Sequence, residues 1–151
     1  MLVNLAYGRT GLAVEFPDDR TTVIEPTYLD GLPDQTGAVR AAVERPLGTA
    51  PLRDLADAGH TVAISVCDIT RPMPSATVLP VVLEALAHVP TDQIAILIAS
   101  GTHRATTHDE LVEMLGEAVV DRYRIVVHDA FDDTQLTSLG EVEHRIPVWL
   151  N

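Results

Sequence analysis

The sequence predicts an α/β fold in which a mostly parallel, Rossmann-like sheet is flanked by helices and preceded by an N-terminal hairpin. Three short apolar runs, at 61–67, 93–100 and 124–128, support this prediction, because near-continuous apolar runs are typical of strands buried on both faces of a parallel sheet. Stretches of helical composition separate the three runs. Strands that alternate with helices form βαβ units, whose strands lie parallel.

The N-terminal part of the chain predicts a hairpin followed by a helix. Two β-rich runs, 11–16 and 21–25, lie on either side of the turn signal Pro17-Asp18-Asp19. This pattern favours a hairpin or small sheet at one edge. Apolar residues at helical spacing then predict a short helix over 34–44. We expect Pro46 to end this helix, because proline cannot continue one.

Three more segments are predicted to be helical. A helical turn is expected over 52–58, closed by Gly59 as a C-terminal glycine. The segment 78–89 has helical composition, and Pro80 is tolerable there only near the first turn. A third helix is predicted over 107–116, because a Thr-x-x-Glu capping box opens it.

The end of the chain predicts a turn at Leu139-Gly140 and a last strand over 146–151. The chain stops on this strand, with no helix after it. Because an α/β unit usually continues past a strand, we expect a chain truncated before the C-terminal part of a longer protein.

Length and composition indicate one globular domain over residues 1–151. Hydrophobic residues make up 46% of the chain and charged residues 21%, which is typical of a soluble protein with one core. The 22 acidic residues outnumber the 10 arginines and lysines, for a net charge of -12. This charge opposes nucleic-acid binding, which needs a positive surface, and docking on an anionic membrane.

The ten Lys and Arg positions are all arginines, so the chain contains no lysine. This excludes a Walker phosphate loop, which needs Gly-Lys, and Schiff-base chemistry by a lysine of this chain. The single cysteine, Cys67, cannot form an internal disulfide and indicates a reducing compartment. The sequence shows neither a signal-peptide pattern nor an apolar stretch that could span a membrane, and we expect a cytoplasmic location.

A polar cluster directly follows each of the three predicted strands. Asp68–Pro72 follows the first strand, Ser100–Arg104 follows the second, and His128-Asp129 closes the third. Ligands of open parallel sheets bind outside the carboxyl ends of the strands. The spacing is therefore compatible with a single cleft that holds one Asp, two Arg and two His.

Arg71 and His103 are the main candidates for chemistry within these clusters. The Arg71 guanidinium can grip a carboxylate or phosphate through two hydrogen bonds, or it can pair with Asp68 and make the loop rigid. His103 follows Gly101 in a loop, where a histidine can act as general acid or base. Asp68 can bind ribose hydroxyls or cap the turn, whereas the pattern at His128-Asp129 favours strand-end capping.

These motifs resemble the N-terminal domain of the lactate racemase family. The resemblance depends on Asp68-Ile-Thr-Arg-Pro72, followed by Ala99-Ser-Gly-Thr-His-Arg104 and then Glu110. It extends over nearly the whole chain, because other elements of the family also occur in order. These elements are Tyr7-Gly8, His128-Asp129, Leu139-Gly140 and Pro147–Asn151.

The resemblance implies a cofactor, a substrate class and roles for particular residues. Members of the family use a nickel-pincer nucleotide, a pyridinium mononucleotide that holds nickel through sulfur and carbon, to racemise or epimerise 2-hydroxy acids. Arg71 would hold the substrate carboxylate. His103 would be one of two catalytic histidines, taking the hydroxyl proton while a hydride leaves the α-carbon. The implied cofactor-binding residues are Asp68, Ile69, Thr70, Arg71, Gly101 and Thr102.

The family's lysine, which tethers the cofactor within a Ser-Gly-Gly-x-Lys segment, has no counterpart before residue 151. The second catalytic histidine and the nickel-ligating histidine also belong to the later part of the family's chain. We therefore assign no metal ligand to this chain and expect its missing C-terminal part as a partner. The alternative is a non-catalytic module that grips an anionic metabolite with Arg71 and Arg104. A downstream reading frame with Ser-Gly-Gly-x-Lys would favour the enzyme, and a natural stop codon would favour the module.

We predict that the 151-residue chain alone has no racemase activity and binds no nickel stoichiometrically, because the tethering lysine and the nickel ligand are not in it. A nickel titration followed by calorimetry and an assay on both enantiomers of lactate test this. Tight one-to-one binding of nickel would contradict the prediction.

Overall fold

The computed structural model describes residues 1–151 as two compact units, Met1–Gly31 and Leu32–Asn151. The first unit is an antiparallel hairpin of β1 (Leu2–Leu5) and β2 (Leu12–Glu15). Its connecting loop turns with the help of Gly8 and Gly11, which have φ angles of 54° and 76°. Such left-handed angles suit glycine, because it has no Cβ.

The N-terminal hairpin is confirmed, but one of the two strands predicted for it is wrong. The run 11–16 does form a strand, and its partner is 2–5 rather than 21–25. After β2 the chain makes a single 3₁₀ turn and then continues without regular structure. Ile24 is 91% exposed, so the second β-rich run has no apolar surface to cover and nothing to hold it as a strand.

The second unit contains the predicted parallel sheet. Its strands are β3 (Val62–Cys67), β4 (Ile94–Ala99) and β5 (Arg124–Val127), in the order β3-β4-β5. Both pairings are parallel, with β4 in the centre. The chain alternates between strands and helices, as βαβ connections require.

Four α-helices belong to this unit: α1 (Gln35–Glu44), α2 (Ser75–Ala85), α3 (His108–Leu115) and α4 (Glu117–Arg122). The predicted helices over 34–44 and 107–116 are confirmed, with Asp34 and Thr107 as their N-caps. The sequence did not predict α4 as a separate helix. Gly116, with a φ of 87°, ends α3 and begins α4.

The core lies between one face of the sheet and the helices. Alternate residues of β4 are completely or almost completely buried, as the period of a strand requires. Burial of one such side chain stabilises the fold by about 1.5–3 kcal/mol. The core cluster comprises Val66, Leu79, Leu83, Leu86, Val89, Ile94, Ile96, Ile98, Leu111, Leu115 and Val119.

The prediction that both faces of the strand are buried is wrong for β3. Ala63, Ser65 and Cys67 are exposed, whereas the alternate residues Ile64 and Val66 face the core. The physical reason is that β3 is an edge strand of a three-stranded sheet, covered on one face. Cys67 therefore does not pack as a small core residue.

Two helical predictions also need correction. The helix predicted over 78–89 begins at Ser75 and ends at Ala85. Pro80 consequently lies inside the helix, where it cannot donate the backbone hydrogen bond that other residues make. The turn predicted over 52–58 is a 3₁₀ turn of three residues, Leu52–Asp54.

The chain ends in an antiparallel hairpin of β6 (Thr137–Val142) and β7 (Ile146–Leu150). The predicted last strand is confirmed, but the turn predicted at Leu139-Gly140 is wrong. Gly140 lies within β6, with a φ of 94° at a shift of register, which is the conformation of a β-bulge. The chain reverses at Glu143–Arg145 instead. No helix in either unit has the length and apolar character that a membrane crossing requires.

Candidate functional site

The three polar clusters lie at one edge of the sheet. The last residue of β3, Cys67, pairs with Ala99, the last residue of β4. Next to them, Val127 at the end of β5 pairs with Ile98. Because the strands are parallel and end in register, the loops that follow them leave from the same edge. The expectation of a shared rim is therefore confirmed by the sheet topology.

A direct contact joins the first two clusters. Nδ1 of His103 lies 2.6 Å from Oδ2 of Asp68, although the two residues are 35 positions apart. The Asp68 side chain is 6% exposed and the His103 side chain is 47% exposed. The pair therefore has a buried carboxylate and an imidazole that reaches solvent.

Thr70 holds the other carboxylate oxygen of Asp68. The Thr70 hydroxyl donates to Oδ1 at 2.7 Å, and the Thr70 backbone N–H donates to the same oxygen at 3.3 Å. These bonds form because the loop turns directly after β3. The hydrogen bonds from Thr70, and next those from His103, lower the pKa of Asp68, so the carboxylate is ionised at neutral pH.

Arg71 lies in the same loop but leaves its guanidinium free. Its backbone N–H donates to the Asp68 carbonyl at 3.2 Å, whereas the structure gives its side chain no hydrogen bond or ion pair. The Asp68 carboxylate is bonded to His103 and Thr70 instead. The pairing of Arg71 with Asp68 that the sequence left open does not occur.

Arg71 lines a cleft of about 200 Å³ at the sheet edge. The cleft contains the N-terminus of α2, which has no side-chain cap. The positive end of the helix dipole and a free guanidinium both favour an anion. The other lining residues are Asp68, Ile69, Met73, Pro74, Ser75, Ala76, Glu113 and Met114.

The loop after β4 presents His103 through a tight turn. The His103 N–H donates to the Ser100 carbonyl at 3.1 Å, and Gly101 has a φ of 57°. No atom lies within 4 Å of the place where a Cβ on Gly101 would project. The turn geometry explains this glycine, and Thr102 beside it is exposed.

Arg104 is already paired and does not line the cleft. Its guanidinium donates to both carboxylate oxygens of Glu110, at 2.6 Å and 2.9 Å. Glu110 also accepts from the backbone N–H of Thr107 and so completes the capping box that opens α3. The hydrogen bond from Arg104, followed by that from Thr107, lowers the pKa of Glu110 to about 2.

The side chains of the third cluster do not line the cleft. Oδ1 of Asp129 accepts from the Phe131 N–H at 2.9 Å, which is strand-end capping. Nδ1 of His128 lies 3.3 Å from the Asn151 side-chain amide. Of the five side chains that the spacing allowed in one cleft, Asp68 and Arg71 line it. His103 lies next to the cleft, because it contacts Asp68. Arg104 and His128 are not part of the lining.

Sequence reasoning missed the Asp68–His103 contact and the role of Glu113 and Met114 as cleft lining. The contact has a signal, because Asp68 and His103 follow neighbouring parallel strands. Glu113 lies one helical turn after Glu110 on α3. Nowhere along residues 1–151 do three or more His, Cys, Asp or Glu side chains gather in a way that could hold a metal ion.

The fold and the site define an α/β domain that presents an imidazole, a buried carboxylate and a free guanidinium at the carboxyl edge of a parallel sheet. Such a set can bind an anion and move a proton. A protein-family model described as "Lactate racemase N-terminal domain" matches residues 7–151. The chain therefore belongs to the lactate racemase family.

Individual relatives agree with this membership. The lactate racemase of Lactiplantibacillus plantarum is 32% identical over 145 residues, which are 93% of this chain and 34% of the relative. The lactate racemase of Thermoanaerobacterium thermosaccharolyticum is 33% identical over 143 residues, which are 91% of this chain and 33% of the relative. The chain thus spans about one third of the length of these relatives.

Solved structures support the fold. The apoprotein of the Thermoanaerobacterium thermosaccharolyticum lactate racemase superposes with a TM-score of 0.77 at 32% identity, covering 100% of this chain and 36% of that one. A Thermotoga maritima protein superposes with a TM-score of 0.60 at 23% identity, over 82% of this chain and 31% of that one. The second likeness shows the fold alone.

Glu110→Gln is predicted to destabilise the chain in a pH-dependent way. The pKa of Glu110 is lowered in the folded state from 4.5 to about 2. Its ionised form therefore stabilises the fold above about pH 4.5, and this contribution is lost as the pH falls towards about 2. We expect the urea midpoint of the variant to lie below that of the wild type at neutral pH, and the difference between the two midpoints to be smaller at about pH 3.

The matched control for this test is Glu141→Gln. Glu141 lies exposed on β6 and should shift the urea midpoint little at either pH. If the difference in urea midpoint between wild type and Glu110→Gln stays constant, or increases as the pH falls, the assigned role of the Arg104–Glu110 pair is contradicted.

Proposed function

We propose that residues 1–151 form the N-terminal domain of a racemase or epimerase of 2-hydroxy acids and supply half of its cofactor- and substrate-binding site. One observation carries the proposal: the unpaired Arg71 and the Asp68–His103 pair lie at one sheet edge in a chain that belongs to the lactate racemase family. The remaining part of the protein, C-terminal to this domain, would complete the site. The enzyme would work in the cytoplasm.

The carboxylate of the substrate is the proposed ligand of Arg71. A guanidinium with no protein partner can give two parallel hydrogen bonds to a carboxylate. The cleft beside it has room for a small acid, at about 200 Å³. This grip would hold the α-carbon at a fixed distance from the loop that carries His103.

His103 is proposed as the general acid and base for the substrate hydroxyl. The α-hydrogen beside an ionised carboxylate is a very weak acid, so removing it as a proton would leave a dianion. Removing it as a hydride avoids that charge, provided that a base takes the hydroxyl proton. The imidazole of His103 is half exposed at the sheet edge and is suited to this transfer.

We propose that the anion-binding part of the cleft receives the phosphate of the implied nickel-pincer nucleotide. The free guanidinium of Arg71 and the uncapped N-terminus of α2 favour the phosphate of a mononucleotide. We propose that Asp68, Ile69, Thr70, Arg71, Gly101 and Thr102 form this chain's share of the binding site. The group would supply the centre that accepts the hydride and returns it. Nickel would be ligated by residues outside this chain.

A second candidate function has support from the same cleft. A non-catalytic module that binds an anionic metabolite would also use a free Arg71. Arg104, the other arginine proposed for it, would have to leave its two-bond pairing with Glu110. A reading frame that continues into Ser-Gly-Gly-x-Lys and a further histidine would support the enzyme over the module.

His103→Ala is expected to lower kcat of the cofactor-loaded, full-length racemase by about 10²- to 10⁴-fold, the usual contribution of a general acid or base. The far-UV circular dichroism should remain that of the wild type, because His103 is half exposed. His108→Ala is the matched control, since His108 is an exposed residue of α3. An unchanged kcat in a folded His103→Ala variant would refute the role.

Arg71→Gln is expected to raise KM for the 2-hydroxy acid at saturating cofactor. A hydrogen bond to a charged group contributes about 1.5–3 kcal/mol, so KM should rise roughly 10-fold or more. Arg45→Gln is the matched control, because Arg45 is exposed and follows α1. If KM stays the same while the control behaves like wild type, Arg71 does not bind the carboxylate.

A further inference from the structure

Asp68 is the one buried charged side chain of residues 1–151, at 6% exposed. A buried carboxylate is costly unless it is paired and hydrogen-bonded. Here the partners come from two loops, with Thr70 in its own loop and His103 in the loop after β4. The burial therefore serves a contact between the loops and is more than local turn capping.

The protein itself fills most of the hydrogen-bonding capacity of Asp68. Oδ1 accepts twice from Thr70, and Oδ2 accepts from His103. A carboxylate has about four acceptor sites, so one is left for any ligand. A ribose diol would have to share this last site, which makes cofactor binding a minor part of what Asp68 can do.

The contact also determines which nitrogen of His103 carries the proton. The ionised carboxylate of Asp68 can only accept hydrogen bonds. Nδ1 of His103 must therefore carry the hydrogen that bridges the 2.6 Å gap. In the neutral ring the lone pair is then on Nε2, and the structure gives Nε2 no hydrogen-bond partner.

We infer that Asp68 is a positioning residue, which holds His103 in the Nδ1–H tautomer and leaves the basic Nε2 free to face the substrate hydroxyl. The inference rests on the proposed function, in which His103 is the acid–base group. It adds a residue that acts through His103 rather than on the substrate.

The proton balance follows from this arrangement. Nε2 takes the hydroxyl proton of the 2-hydroxy acid, and the ring becomes an imidazolium with a hydrogen on each nitrogen. The Asp68 carboxylate keeps its hydrogen bond from Nδ1 and stabilises this cation. Nε2 later returns the same proton to the substrate oxygen, so Asp68 is never protonated and no proton is lost.

A role in loop structure alone would leave kcat independent of the His103 tautomer, and Asp68→Asn, followed by both the tautomer and kcat, separates the two cases. In this variant the Thr70 donors keep the amide oxygen, as they keep Oδ1 now. The amide NH₂ then faces His103 and donates to Nδ1. The hydrogen of the neutral ring must move to Nε2, which removes the base from the side facing the substrate.

The first measurement uses ¹⁵N-labelled 151-residue chain and long-range ¹H–¹⁵N spectra of its histidines. Spectra are recorded at about pH 9, above the ordinary histidine pKa of about 6.5. We expect Nδ1–H for His103 in the wild type and Nε2–H in Asp68→Asn. An Nε2–H tautomer in the wild type, or an unchanged tautomer in the variant, would overturn the inference. If the variant does not fold, the His103 tautomer in the wild-type spectrum still tests the inference.

Asp57→Asn is the matched control, because Asp57 forms the other Asp–His pair, with His60, at 3.0 Å on the surface. There the backbone N–H of Asp57 donates to Nδ1 of His60, so the substitution should leave both the His60 and His103 tautomers as they are. A change at His103 in this control would show that the shift in Asp68→Asn is not specific.

The second measurement uses the full-length, cofactor-loaded enzyme. Asp68→Asn should lower kcat by about 10²- to 10⁴-fold and change KM little, while Asp57→Asn behaves like wild type. An unchanged kcat with a changed tautomer would overturn the positioning role. Absence of racemase activity in the wild type would instead contradict the proposed function, and the tautomer result would still stand on its own.

Discussion

The parallel, in-register pairing of β3, β4 and β5 is the constraint on which the candidate site depends. Because these strands end together, residues far apart in the chain meet at one edge of the sheet. The buried isoleucines of β4 hold this edge in place by packing against the helices. Disturbing the register by one residue would turn every side chain to the opposite face and separate Asp68 from His103.

Of the charged side chains of the first two clusters at this edge of the sheet, Arg71 is the one that has no hydrogen-bond or ion-pair partner. Glu110 neutralises Arg104 through two hydrogen bonds, and His103 and Thr70 satisfy Asp68. Arg71 receives no such partner within the chain. Under the proposed function, an anion from outside the chain is the ligand of this guanidinium.

Local sequence signals predicted the parts of the fold that depend on local chemistry. The capping box at Thr107 and the apolar runs of the sheet were readable, because a few neighbouring residues determine them. Strand partners depend on distant residues, which is why 21–25 was assigned to a hairpin that 2–5 forms. At the site, the sequence placed Asp68 and His103 at one rim but could not show that they touch, since side-chain contacts across loops depend on packing.

The exposure of Cys67 has a practical consequence. It is the single thiol of the chain, it is accessible, and it comes immediately before Asp68 on the strand that leads into the site. A maleimide dye or spin label would therefore attach at one defined position without any engineered cysteine. Such a label would sit beside the loop of Asp68 and Arg71, where its fluorescence or mobility could follow the arrival of an anion or of another polypeptide.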